Sequence, residues 1–231
     1  DIMCDLILCG AIIKQEEYID KVIHSVDKHK FKQKFILFDG PPPSRMKTSY
    51  NKYKKYKDHI KKHYPDFQVI EYTENLYYKN MLEKFIKENY SVVSQNLLII
   101  QDDVVLDEFD LETTLEIKRD LDECRILYFR ENRKRCAHWF NVIDESNPNL
   151  IKTHGWSERV YLITKEDLID ILNNLPLKGG KGGKFIEFYY QNMMSRKTWA
   201  TITEEEQLEY WKRWGCYEHK TIHHKHLVAK R

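Results

Sequence analysis

Through its first hundred or so residues the chain alternates short, continuous apolar runs with longer stretches whose apolar positions recur every third or fourth residue. The first pattern predicts buried strands and the second amphipathic helices; alternating, they predict crossover units feeding a mostly parallel sheet. DLILCGAII (5–13) predicts a first strand, and EEYIDKVIHSVDKH (16–29) a helix with Tyr18, Ile19, Val22, Ile23 and Val26 on one face. KFILFDG (34–40) predicts a second strand closed by Asp39-Gly40, followed by the loop PPPSR. A very polar helix from Lys47 to His63, a strand FQVIEY (67–72), a helix YYKNMLEKFIKENY (77–90) and a strand LLIIQDD (97–103) complete the series. Four strands with their crossovers make one doubly wound, nucleotide-binding half.

Beyond residue 107 the rhythm changes. RILYF (125–129), HWFNVI (138–143) and ERVYLIT (158–164) predict strands of a mixed sheet. KEDLIDILNNL (165–175) and FIEFYYQNMMSR (185–196) predict helices, joined by the flexible loop LKGGKGGK. The tail, WKRWGCYEHKTIHHKHLVAKR, is basic, aromatic and histidine-rich, and predicts an ordered but exposed end. The expected whole is one α/β domain, with residues 1–107 forming the nucleotide-binding half and 108–231 the second half.

Composition narrows the class. With 231 residues, 42% hydrophobic and 32% charged, the chain reads as globular, neither disordered nor membrane-embedded. A formal net charge of +2 gives no global argument for nucleic acid, so any such argument must rest on local clusters. Five scattered cysteines with no C-x-x-C pair suggest a reduced, intracellular chain without a disulfide frame. The longest apolar runs are too short to cross a bilayer and no leader is visible, so the expectation is a cytoplasmic protein with no membrane span.

The candidate chemistry gathers at strand ends. Asp102 and Asp103 interrupt LLIIQDDVVLD (97–107), apolar on both sides, so they cannot simply belong to a solvated face. Hard oxygen ligands there suit Mg2+ or Mn2+ held jointly with a substrate's phosphates; the plain alternative is an acidic junction that caps the next element. Asp39 should share their rim, where it can accept from a base N–H or a ribose hydroxyl, although Asp-Gly is also ordinary turn chemistry. Among His219, His223, His224 and His226, one imidazole can complete a coordination sphere begun by Asp103; a solvated basic tail is the plainer reading. Trp156 and Glu158 in GWSERVYL (155–162) offer a flat face and a carboxylate for an acceptor's hydroxyls, against a buried core Trp. Glu187 sits early in a predicted helix, which favours the ionised form a general base needs and equally suits simple dipole complementarity. The glycine-lysine loop fails the phosphate-loop pattern, since Phe185 follows Lys184, and reads better as a lid. KTSYNKYKKYKDHIKKHY (47–64) reads as a charged helix face in water that, with the tail, offers a phosphate-contacting surface.

The order of these elements resembles the GT-A-fold glycosyltransferases: a first strand CGAII, a second strand ending in Asp-Gly, a hydrophobic strand running into QDDV, a G-W-x-E turn and a terminal histidine cluster. That resemblance implies a Rossmann-type half with a mixed central sheet and a C-terminal region for acceptor and metal. It implies a divalent cation and a UDP-sugar donor, with Cys9, Gly10, Ala11, Asp39, Gly40 and Asp102 around the nucleotide sugar. Asp103 with His224 and His226 would hold the metal, Trp156 and Glu158 the acceptor, and Glu187 or Glu158 would serve as base. Gln101 stands where the common pattern has its first acid. FDGPPPS, IIQDDVVL and GWSERVYL are also similar to viral and phage glycosyltransferases proposed to decorate hydroxymethylated pyrimidines in DNA; a viral or bacterial surface glycan is the other acceptor implied. A nucleotidyltransferase and a non-catalytic nucleic-acid-binding module are the competing classes. CGAIIKQEE is a poor phosphate loop for the former, and the near-neutral charge argues against the latter as sole function.

Overall fold

The computed structural model describes residues 3–10, 16–41, 48–131, 142–153, 158–174 and 203–227. The first half follows the predicted order: β1 (Cys4–Gly10), α1 (Glu16–Val26), β2 (Lys34–Phe38), α2 (Thr48–His63), β3 (Gln68–Glu71), α3 (Tyr77–Asn89) and β4 (Asn96–Gln101). β1 pairs in parallel with β2 and β4, and β2 with β3, which gives the order β3-β2-β1-β4. Leu6 and Leu8 of β1 enter one core with Ile19 and Val22 of α1; Ile7 and Cys9 enter another with Met81 and Phe85 of α3. Burial on both faces is why these strands read as unbroken apolar runs instead of alternating ones. Asp5 is the buried polar exception on β1. Its carboxylate accepts from Gln33 N at 3.0 Å, Ser94 N at 2.7 Å and Ser94 Oγ at 2.8 Å, tying down the loops before β2 and β4.

One expectation for this half changes; the end of the first predicted strand, residues 11–13, lies outside the described residues. α2 is more than a solvated face. Tyr53, Tyr56 and Ile60 are 2%, 1% and 0% exposed and pack into the α1-side core, while Lys54, Lys55 and Lys62 stay outside. The interleaved tyrosines follow the helical period, so one stripe can be apolar beneath a basic exterior.

The second half comprises β5 (Val104–Leu106), α4 (Leu111–Arg119), β6 (Ile126–Tyr128), β7 (Val142–Asp144), β8 (Leu150–Thr153), β9 (Val160–Thr164), α5 (Lys165–Asn173), α6 (Glu204–Trp214), β10 (Cys216–His219) and β11 (His224–His226). The nine-stranded sheet continues from β4 as β9-β6-β10-β8-β7. β9 runs antiparallel to both β4 and β6, β10 lies parallel to β6, and β11 forms a separate antiparallel ribbon with β5. Of HWFNVI only the end is described, within β7; the expected helix 185–196 and the glycine-lysine loop fall outside the described residues.

The exposed tail is the main correction. Cys216–His219 is buried throughout and lies inside the sheet between β6 and β8, with Tyr217 facing one core and Cys216 the other. Gly215 allows this entry. Its φ is +55°, and a Cβ there would lie 2.5 Å from the Glu123 carbonyl oxygen, so α6 can turn into β10 only without a side chain. Among the described residues no helix is long and apolar enough to cross a membrane.

Candidate functional site

In an open α/β sheet the loops and helix N-termini converge beyond the carboxyl ends of the parallel strands. Here that rim carries Cys9 and Gly10 of β1, Asp39 and Gly40 after β2, and Asp102 and Asp103 after β4. Because β9 is antiparallel to β4, its start reaches the same rim, and Gln101 N donates to the Arg159 carbonyl at 2.9 Å. Glu158 therefore stands beside the acids. It is 4% exposed, and its carbonyl accepts from the Tyr78 hydroxyl at 3.2 Å. Burial pushes the Cys9 thiol far up, reinforced by the nearby Asp102 and Glu158 charges, so Cys9 is a neutral wall of the site.

The twin aspartates are held differently. Asp102 is 1% exposed; its N–H donates to the Cys9 carbonyl at 3.1 Å, and its Oδ2 accepts from the Tyr56 hydroxyl at 3.1 Å. Burial, and then the Asp102 charge, keep that tyrosine protonated as a permanent donor. Asp103 is 5% exposed and immediately precedes β5. Its Oδ2 lies 2.9 Å from His226 Nε2, and its carbonyl accepts from Leu227 N at 2.7 Å. The β5–β11 ribbon thus returns the chain across 123 residues of sequence to the aspartate pair.

Of the four tail histidines, His226 is the one hydrogen-bonded to Asp103. His224, expected beside it, donates its Nδ1–H to the Phe129 carbonyl. Burial lowers its pKa to about 4, so the ring is neutral, and its Nε2 is buried with no hydrogen-bond partner among the described residues. Of the expected Asp103, His224 and His226, the hydrogen bonds join Asp103 to His226 and turn His224 Nδ1 to Phe129; among the described residues no group of three or more His, Cys, Asp or Glu side chains has the geometry to hold a metal. His219 serves the fold, its Nδ1 accepting from Thr221 N at 3.2 Å and Ile222 N at 3.1 Å. His223 donates its N–H to Asp107 Oδ2 at 3.0 Å.

Asp39 is tied to the start of α3 as well as to its own loop. Its carboxylate accepts from Gly40 N at 2.9 Å, Leu76 N at 2.7 Å and Tyr77 N at 2.8 Å. Burial raises its pKa against the lowering effect of those three bonds. Gly40 is required for this closeness, since a Cβ would lie 2.3 Å from the Glu74 carbonyl carbon. Tyr77, the first residue of α3, has φ +59°, a left-handed conformation that a tyrosine holds only when its surroundings impose it. The Tyr53 hydroxyl donates to the Asp39 carbonyl, so α2 reaches this acid as well as Asp102.

Farther along the rim lies a cluster that sequence reasoning missed. Glu218 is 1% exposed on β10, in register with Tyr128 of β6. Its Oε2 accepts from the Tyr128 hydroxyl at 3.0 Å, and its Oε1 lies 3.4 Å from Arg130 Nε. Arg159 pairs with Glu131 at 2.8 Å close by. The charged type of Arg130 and Glu218 was visible in the sequence; their partnership was not. Ala11, Trp156 and Glu187 lie outside the described residues.

The arrangement can bind a polar ligand along one rim, with acids at one end and charge-balanced pairs at the other. No family model and no curated protein sequence matches the chain. Solved structures do match by fold. The structure of GalNAc-T7 with UDP, GalNAc and Mn2+ superposes with a TM-score of 0.59 at 8% identity, over 99% of this chain and 44% of that one. TarS from S. aureus superposes with a TM-score of 0.51 at 12% identity, over 98% of this chain and 37% of that one. The chain therefore spans less than half the length of either. What they share with it is the α/β architecture with a large mixed central sheet, which is the GT-A glycosyltransferase fold.

Proposed function

We propose that the chain is a metal-dependent glycosyltransferase that moves a sugar from a nucleoside-diphosphate sugar, a UDP-sugar, to an acceptor hydroxyl. The observation that carries this reading is the contact of Asp103 Oδ2 with His226 Nε2 at 2.9 Å, beside Asp102 at the mouth of the parallel strands. A carboxylate oxygen and an imidazole nitrogen at that separation have the spacing of neighbouring donors on a six-coordinate ion, about 3 Å for bonds of about 2.1 Å. Two protein donors fit Mg2+ or Mn2+, which commonly complete their shells with water and substrate phosphates. Such a cation, when bound, would offset the charge that grows on the leaving diphosphate.

The remaining roles belong to the chain's own side chains. Asp102, held by Tyr56, contacts the ribose or donor sugar. Asp39 with Gly40 faces the base, and Cys9 and Gly10 at the end of β1 lie beneath the nucleotide, with Ala11 as a further contact residue. Glu158, buried and adjacent, takes the acceptor's proton if the anomeric centre inverts, with Glu187 as the alternative base; Trp156 supplies a stacking face. For the acceptor, the outward lysines Lys54, Lys55 and Lys62 of α2 favour DNA carrying hydroxymethylated pyrimidines over a neutral surface glycan, since they can contact phosphates.

Purified protein with Mn2+ and a panel of nucleotide sugars tests the donor. UDP-sugars should raise the thermal midpoint by mass action and release UDP slowly without acceptor. No stabilisation by any nucleotide sugar, or UDP release unaffected by chelation, overturns the reading. Hydroxymethylated DNA, unmodified DNA and glycan acceptors, each followed by mass analysis, then identify the acceptor.

A further inference from the structure

α2 reads from sequence as a solvated basic helix, yet two of its buried tyrosines, Tyr53 and Tyr56, reach two rim residues, Asp39 and Asp102. The Tyr56 hydroxyl donates to Asp102 Oδ2 at 3.1 Å across 46 residues of sequence. The Tyr53 hydroxyl, one helical turn earlier, donates to the Asp39 carbonyl. Both rings are fixed against Phe38, the last residue of β2, at centroid separations of 5.7 Å for Tyr53 and 5.4 Å for Tyr56, edge to face. Tyr53 and Tyr56 are 2% and 1% exposed, so neither hydroxyl is a surface group that settles on the nearest acceptor. A carboxylate next to a strand end has free rotation about two bonds; a buried O–H aimed at one oxygen selects a single orientation.

We propose that Tyr56 and Tyr53 are positioning residues for nucleotide binding: Tyr56 fixes the carboxylate of Asp102, and Tyr53 fixes the main chain of Asp39 and with it the loop that faces the base. The inference rests on the donor-site reading given above and adds α2 to that site. It explains why tyrosines occupy the buried stripe of α2 at 53 and 56, where leucine would fill the same core without a hydroxyl. Ile60, the next inward residue, is apolar and completes the stripe away from the rim.

The test measures binding of UDP in Mn2+ by calorimetry for the wild-type chain, Tyr56→Phe, Tyr53→Phe and a control, Tyr64→Phe. Tyr64 also gives its hydroxyl to a carboxylate, Asp20 Oδ1 at 2.6 Å, but against α1 and away from the rim acids. Tyr56→Phe should weaken UDP about tenfold, the loss expected on deleting one hydrogen bond to an ionised group. Tyr53→Phe should narrow the preference for UDP over CDP, because the base-facing loop loses its anchor. Tyr64→Phe should leave both unchanged. Unaltered UDP affinity in Tyr56→Phe, or a loss matched by Tyr64→Phe, overturns the positioning role. A wild-type chain that fails to bind UDP overturns the donor reading itself, and this inference with it; the wild-type measurement distinguishes the two failures. If Tyr56→Phe does not fold, the UDP-to-CDP ratio of Tyr53→Phe decides.

Discussion

The parallel half and the mixed half meet at one rim but are built by different means. In the parallel half β1, β2 and β3 are each followed by a helix, and Asp39 and Asp102 at the rim are held by nearby loops or by α2. In the mixed half β9 inserts between β4 and β6, and β10 between β6 and β8, so neighbours in space are far apart in the chain. Polar groups there meet across strands distant in sequence, as where Glu218 Oε2 accepts from the Tyr128 hydroxyl and Oε1 lies 3.4 Å from Arg130 Nε. The first half can therefore form its rim from local units, whereas the second depends on long-range pairing that must close before its charges are matched.

The two halves can be probed first at the point where they join. Asp103→Asn leaves the parallel half intact but removes the charge that faces His226. Metal-dependent UDP release should fall about 10²–10³-fold, and Mn2+ should no longer raise the thermal midpoint in the presence of UDP. Retained activity at the wild-type metal optimum would remove Asp103 from the site.

The mixed half should be the more fragile under loss of a single charge. Glu218→Ala leaves Arg130 partly buried without its carboxylate, a change that costs about 3–5 kcal/mol when one member of a buried pair is removed. Urea unfolding reads this directly, and replacement of both partners by apolar residues should recover much of the loss. Equal urea midpoints for wild type and Glu218→Ala would show that the cluster contributes little.

Acid should loosen the same region in a defined window. Burial, with a smaller effect of His223, lowers the His219 pKa from 6.5 to about 4, so between these values the unfolded chain binds a proton that the folded chain does not. Stability from this group is complete above about pH 6.5 and is lost progressively as pH falls towards 4. His219→Asn keeps a side-chain acceptor for the 221–222 turn but does not titrate, so its urea midpoint should change less between pH 7 and pH 5 than that of the wild type.

The smallest effect belongs to the exterior of the parallel half. Replacing Lys54, Lys55 and Lys62 with glutamate should change folding stability by no more than about 0.5 kcal/mol per site. If DNA is the acceptor, the slope of log K against log salt should become shallower by about 0.9 for each phosphate that these lysines no longer neutralise. An unchanged slope would assign those lysines to solvation alone.

The sequence by itself determined the parallel half. Unbroken apolar runs such as LLII at 97–100, separated by amphipathic helices, read correctly because each strand contributes to two cores, one shared with α1 and one with α3. The position of Asp39, Asp102 and Asp103 at strand ends was equally legible, since a polar residue that stops an apolar run marks the rim in local terms. Only the tertiary structure decided the rest. CYEH at 216–219 looks like part of a solvated basic tail until β6 and β8 bury it from both sides. His226 meets Asp103, while His224 turns to Phe129, through a ribbon whose register no short window contains. The tyrosines of α2 likewise share a composition with a solvated helix, and only their packing against Phe38 directs their hydroxyls to the acids. Local patterns fix how a segment buries itself, but which distant group it then meets depends on strand order and register, set by the free energy of the whole sheet.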